Sequence, residues 1–190
     1  MQWSRPLDAS QIIGVMSNEG RGLVRGCYWG AETRHGVIDI DIDSRYHNAQ
    51  DLTKLVYKFA SVGLIITPYQ SSDSGGWHLY YFLDDWAPSR EIEQTIKEWL
   101  KALGYIIASG TLEVFPSGNA LRLPLQQGFA WLAPDGQVTT RREEITQEEA
   151  LALFLSNFKN TARNWQNARS HMLAEIESTR PAAGTVAQDE

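Results

Sequence analysis

The sequence predicts an α+β fold, a β-α-β-β-α-β sheet core with two helices on one face of an antiparallel sheet, followed by a long C-terminal helix. Three observations predict it. Residues 38–43 alternate strictly between isoleucine and aspartate, the period of a strand with one buried face. Two separate segments carry apolar residues at helical spacing, and a Gly/Ser-rich turn joins two aromatic, β-branched runs between them.

Taken in order, the first strand covers Gly36 to Asp43, and its period points Ile38, Ile40 and Ile42 to the core. Asn48 followed by Asp51 has the form of a helix cap, and Leu52, Leu55, Val56 and Phe59 recur on one helical face until Gly63 stops the run. Leu64 to Gln70 and Trp77 to Leu83 form the hairpin pair. Pro88 and Ser89 open a second helix with Ile92, Ile96, Trp99, Leu100 and Leu103 on one face and Gly104 at its end. Short strands follow at Thr111 to Phe115 and Ala120 to Leu123. This order is the split βαβ arrangement of ferredoxin-like and RRM-like domains, which leaves the second sheet face open for a site. After a turn at Pro134 to Gly136, the capping box Thr146 to Glu149 begins a long helix over 147–178, broken near Asn160, with Leu151, Phe154, Leu155, Phe158, Ala162 and Trp165 packing on the domain. The domain reading is an N-terminal extension packing on the core (1–34), a sheet core that holds the candidate site (35–140), a helical appendage (141–180) and a flexible tail (181–190).

Composition narrows the function classes. With 190 residues, 43% of them apolar and seven Trp and seven Tyr among them, the chain has the makings of one well-buried core. Its one cysteine, Cys27, excludes an intrachain disulfide and a thiolate zinc site and suits a reducing, cytoplasmic setting. The opening residues lack the apolar stretch of a secretory signal, and no apolar run reaches membrane-spanning length, so no membrane role is expected. A net charge of −6 restricts nucleic-acid binding to a local basic face, for which Arg21, Arg25, Arg34 and Arg45 are candidates.

Three constellations carry chemistry. Asp39, Asp41 and Asp43 share a strand face if the alternation holds; such a row suits either a solvated, aggregation-resistant edge or a hard divalent cation. Ser72-Asp73-Ser74-Gly75-Gly76-Trp77-His78 is either an ordinary hairpin loop or a phosphate cradle with a histidine at the strand mouth. Glu113 stands in an apolar strand and Arg122 between leucines; the two form a cross-strand pair, or Glu113 joins the aspartates on the open face.

These residues resemble the three motifs of the archaeo-eukaryotic primase superfamily, which includes primase-polymerases and the polymerase domains of bacterial end-joining ligases. Val37-Ile38-Asp39-Ile40-Asp41 is similar to its Asp-x-Asp strand, and Ser72 to His78 to its Ser-Gly-x-x-Gly-x-His loop, except that Asp73 stands where the family has Gly. Leu112-Glu113 is similar to its third acidic motif, with Arg122-Leu123-Pro124 following. The resemblance spans about residues 35–132. It implies a primase-polymerase type core and a metal-dependent nucleotidyltransferase, a DNA-directed primase or polymerase of DNA replication that makes or extends primers on single-stranded DNA. It further implies that Asp39, Asp41 and Glu113 hold two Mg²⁺ or Mn²⁺ ions, that Ser72, Gly76 and His78, with Arg122, contact an incoming NTP or dNTP, and that a replicative helicase is a partner in cis or trans. The alternative is a catalytically weak replication initiator or DNA-binding module with the same fold. A relaxase would need paired histidines, a restriction-type nuclease a Glu-x-Lys, and a glycosyltransferase a different element order. Lys159, Arg163 and Arg169 on the last helix, and Trp3, Trp29 and Trp131, are further positions to examine for nucleic-acid contact.

Overall fold

The computed structural model describes residues 9–16 and 25–179. The elements are α1 (Ala9–Met16), β1 (Gly26–Cys27), β2 (Glu32–Ile40), α2 (Ala49–Ser61), β3 (Ile66–Gln70), β4 (Trp77–Pro88), α3 (Ser89–Ala102), β5 (Glu113–Phe115), β6 (Leu121–Arg122), β7 (Ala130–Leu132), β8 (Val138–Arg141), α4 (Gln147–Thr161) and α5 (Trp165–Thr179). Strands β5-β2-β4-β3-β7-β8 form one antiparallel sheet. Its first four strands, with α2 and α3, have the order of a ferredoxin-like α+β core.

Local chemistry explains the helix boundaries. The Asn48 side chain accepts from the Asp51 amide at 3.0 Å and so satisfies an otherwise orphaned donor of α2. Gly63 and Gly104, at φ +88° each, take the left-handed conformation that ends α2 and α3. Thr146 and Glu149 cap α4 reciprocally, at 2.9 Å and 3.2 Å.

One sheet face is covered by α2, α3 and α5. Ile38, Ile40, Leu79, Tyr81 and Leu83 meet Leu52, Leu55, Phe59, Ile92, Ile96 and Trp99 there, all fully buried. Burying each side chain of this size contributes about 1.5–3 kcal/mol. Gly36 is required in β2 because a Cβ would stand 2.6 Å from the Phe115 carbonyl oxygen, in the space of the Tyr81 ring that hydrogen-bonds to that oxygen.

Four features depart from the sequence reading. Strand β2 ends at Ile40, because β4 begins opposite that residue and no neighbour extends farther. The chain then turns, with the Ser44 amide donating to the Asp41 carbonyl at 3.0 Å. Ile42 is therefore 45% exposed, and Asp43 does not continue the strand row. The second face is not open throughout: Val37, Tyr69, Tyr80, Phe82, Phe115 and Phe129 build a second core there, packed against Ile12 of α1 and Phe154 and Phe158 of α4. The C-terminal region breaks where expected, just after Asn160, but its two helices lie on opposite faces, since α5 adds Trp165, Ala168 and Met172 to the first core. Between them Arg163 pairs with β4 at Leu83, in the space beyond the end of β3, and its amide donates to the Phe82 carbonyl at 3.0 Å. Finally, Leu121 and Arg122 pair with β1 outside the main sheet, and the β7–β8 hairpin extends that sheet.

The expected helical stripe on α4 is also rotated. Ala150 is buried and Phe154 and Phe158 are half-buried, whereas Leu151 and Leu155 remain exposed. Arg169 is held by Glu91 at 3.4 Å, and the Arg163 guanidinium donates to the Ala162 carbonyl, which leaves Lys159 as the exposed basic residue of the three. Trp29 and Trp131 pack partly buried against the second core; Trp3, Arg21 and residues 181–190 lie outside the described residues.

Candidate functional site

The sheet brings distant sequence segments into one row. Asp39, next to last in β2, is in register with His78 on β4 and with Glu113 on β5, so the three residues lie side by side across adjacent strands. Asp41 follows two residues later on the exposed turn. His78 is 5% exposed, and its Nε2 lies 3.6 Å from Asp39 Oδ1. Glu113 forms no ion pair with Arg122, because the β6 strand that carries Arg122 lies against β1 and not beside β5.

The electrostatics of the row follow from burial and like charge. Desolvation, and then the neighbouring charges of Asp41 and Glu113, push the Asp39 carboxyl from its ordinary value near 3.8 up to about 7, against a backbone hydrogen bond at Ile40 that favours the carboxylate. His78 moves the other way, to about 4, through burial and the nearby Arg122 cation. Near neutral pH the imidazole is therefore uncharged and the row has unneutralised acidity. Among the described residues, no Lys or Arg forms an ion pair with Asp39, Asp41 or Glu113.

That donor set fits a hard divalent cation in its chemistry: three carboxylates, two of them raising the pKa of the third, and among the described residues no Lys or Arg in an ion pair with them. Among the described residues, however, no three His, Cys, Asp or Glu side chains are grouped closely enough to form a ready metal cluster.

The Gly-rich segment is the β3–β4 hairpin. The Ser71 amide donates to the Gly76 carbonyl at 2.8 Å, and Gly75, at φ +91°, donates to the Ser72 carbonyl at 3.0 Å. Ser72 Oγ and Ser74 Oγ lie 2.7 Å apart, and Gly76 is buried against the end of β2. The loop is braced from both sides. His47 Nε2 is 2.9 Å from the Gly75 carbonyl oxygen, and the His47 ring lies on Trp77 with centroids 3.8 Å apart. On the other side, Asp73 lies against Gly128 and is approached by the Gln127 amide at 3.5 Å, while Arg122 donates to the Gln127 carbonyl at 2.7 Å. Burial lowers the Arg122 pKa and the Asp73 charge opposes that shift.

The structure thus gathers Asp39, Asp41, Glu113, His78, Arg122 and the Ser72–Gly76 loop at one end of the sheet. Sequence reasoning missed His47 and Gln127, the residues that hold the loop. An aromatic neighbour two positions from a loop glycine, Trp77 beside Gly75, was the available hint for a stacking partner; nothing in the pattern marked Gln127.

No family model matches the chain, and no curated protein matches it. Among solved structures, the chain is similar to the polymerase domain from Mycobacterium tuberculosis Ligase D in complex with DNA, with 15% identity and a TM-score of 0.36 over 71% of this chain and 58% of that one. The chain accordingly spans somewhat over half the length of that structure.

Proposed function

We propose that this chain is a DNA primase/polymerase domain, a metal-dependent nucleotidyltransferase that makes or extends primers on a single-stranded DNA template. The observation that carries this reading is the row itself: the residues of the three motif-like segments, separated by up to 74 positions in sequence, meet as Asp39, His78 and Glu113 in one line across three strands, with Asp41 beside them.

Asp39, Asp41 and Glu113 would hold Mg²⁺ or Mn²⁺, which when bound lowers the pKa of an attacking 3′-hydroxyl and offsets charge on the leaving pyrophosphate. The protein's own contribution is placement. Ser72 and Gly76 with the rest of the hairpin would orient the triphosphate of an NTP or dNTP, and the Arg122 guanidinium would add positive charge along it. His78, uncharged at neutral pH, would donate an N–H to a phosphate oxygen without adding net charge. The reaction joins the 3′-oxygen to the α-phosphorus, breaks the bond to the pyrophosphate and releases the hydroxyl proton. A replicative helicase, acting in cis or trans, would supply the single-stranded template.

The absence of a ready three-ligand cluster among the described residues, together with Asp73 standing in the loop, favours as second reading a DNA-binding module with weak or no catalysis. A gel assay of labelled-nucleotide incorporation on primed and unprimed single-stranded DNA separates the two. Products that form with Mn²⁺ or Mg²⁺ and vanish in the Asp39→Ala, Asp41→Ala double variant support the enzyme. DNA binding without products from either protein supports the module.

A further inference from the structure

A groove lies on the helical side of the same end of the molecule. Two loops leave the carboxylate row: residues 41–48 carry Arg45 four positions past Asp41, and residues 103–112 carry Tyr105 and Ile106 shortly before Glu113. Tyr46 joins them, its hydroxyl accepting from the Ile106 amide at 2.9 Å and its ring 5.4 Å from that of Tyr105. With the outer face of α2 they enclose a groove of about 410 Å³ lined by Arg45, Lys54, Tyr57, Lys58, Tyr105 and Ile106.

The groove's composition is unusual for this chain. Three cations face one carboxylate, Asp51, which is bound by Lys54 at 3.1 Å and also feels the Arg45 charge; among the described residues neither Arg45, whose guanidinium lies 5.6 Å from the Tyr46 ring centroid, nor Lys58 forms an ion pair, in a protein of net charge −6. Between the cations, Tyr57 is 71% exposed and Ile106 51% exposed, although both are large apolar surfaces that water disfavours. Cations interleaved with exposed aromatic faces are the chemistry that holds a flexible polyanion with planar bases, the phosphates on Arg45 and Lys58 and a base on Tyr57.

We infer that this groove binds single-stranded nucleic acid where it enters or leaves the carboxylate row. The nucleic-acid partner rests on the proposed function, whereas the groove rests on its own residues. The strand runs from the row over the loop that links Asp41 to Arg45. A free nucleotide shares the phosphate and base chemistry; Arg45 stands on the loop before α2 and Lys54, Tyr57 and Lys58 lie within about one turn of it, so competition by free nucleotide is what separates the two.

The test is fluorescence anisotropy of a labelled oligothymidylate of 20 nucleotides in EDTA, which keeps divalent cations out of the binding. Arg45→Ala with Lys58→Ala removes two phosphate contacts and should make the slope of log K against log salt shallower by roughly 1.4. Tyr57→Ala removes a stacked base and should weaken binding roughly tenfold with the slope unchanged. A double variant removing equal charge elsewhere, Arg90→Ala with Lys101→Ala, should bind like wild type, and circular dichroism should show all variants folded. Added nucleoside triphosphate should compete poorly. Groove variants that bind like wild type, an equal loss in the Arg90 and Lys101 control, or efficient competition by free nucleotide would each overturn the inference. Absence of metal-dependent incorporation in wild type, with the groove effects intact, would overturn the polymerase reading alone.

Discussion

Replacing Asp39 by Asn should abolish metal-dependent activity while making the metal-free protein more stable, and the gain should depend on pH. The Asp39 side chain is 22% exposed and stands beside Asp41 and Glu113, which with burial raise its pKa from near 3.8 to about 7. A carboxyl whose folded pKa is raised holds its proton more tightly in the folded state. Stability is therefore lost as pH rises from about 4 to about 7, and the full penalty is present above that. At 1.36 kcal/mol per unit the ceiling is about 4 kcal/mol, of which about 2–3 kcal/mol accumulates between pH 5 and pH 8. Solvent at the exposed fifth of the side chain trims this to about 1–3 kcal/mol. His35 and His78, both lowered to about 4 by burial, give the opposite trend, with stability rising between pH 4 and 6.5; they are present in both proteins and largely cancel in the comparison. Urea unfolding in EDTA at pH 5 and pH 8 measures the difference. An advantage of Asp39→Asn over wild type that is the same at both pH values, or shrinks at pH 8, would refute burial and like charge at Asp39 as its cause.

Three further outcomes follow from the same structure. Gly128→Ala should lower Tm by several degrees, because Gly128 has φ +79° and a Cβ would run into the Asp73 backbone nitrogen; thermal melts by circular dichroism would show it, and Asp73→Gly in the same chain should leave most of the loss in place, since the backbone and not the carboxylate is the nearest obstacle. Mn²⁺ at pH 7 should raise Tm in wild type but not in the Asp39→Ala, Asp41→Ala variant, and calorimetry in buffers of different ionisation enthalpy should detect proton release as Asp39 ionises. Trp165→Ala should cost about 3–5 kcal/mol, since Trp165 is 3% exposed in the first core and its indole donates to Glu91 at 2.7 Å.

The helical and strand periods made the six central elements legible, and the caps at Asn48 and Thr146 set two helix starts correctly. The row of Asp39, His78 and Glu113 could be anticipated because the β-α-β-β-α-β order dictates which strands are neighbours. What periodicity does not encode is the partner. Ile42 fits the strand pattern as well as Ile40, but the neighbouring strands stop at Ile40. On α4, Leu151 and Leu155 belong to the same apolar stripe as Phe154 and Phe158; the buried face keeps the two phenylalanines and is turned toward Ala150, which leaves both leucines outside it. Strands β1 and β6, two residues each, and the β7–β8 hairpin are too short to show any period, and the crossing at Arg163 is decided by the vacant edge of β4 beyond β3.

Glu113 is the member of the row whose local sequence signal is weakest, so it tests the central claim most directly. Nucleotide incorporation on primed single-stranded DNA with Mn²⁺ should fall at least about a hundredfold in Glu113→Gln, with oligonucleotide binding in EDTA and Tm preserved. A Glu113→Gln protein that incorporates nucleotide at the wild-type rate would show that the row across β4, β2 and β5 is not a catalytic centre.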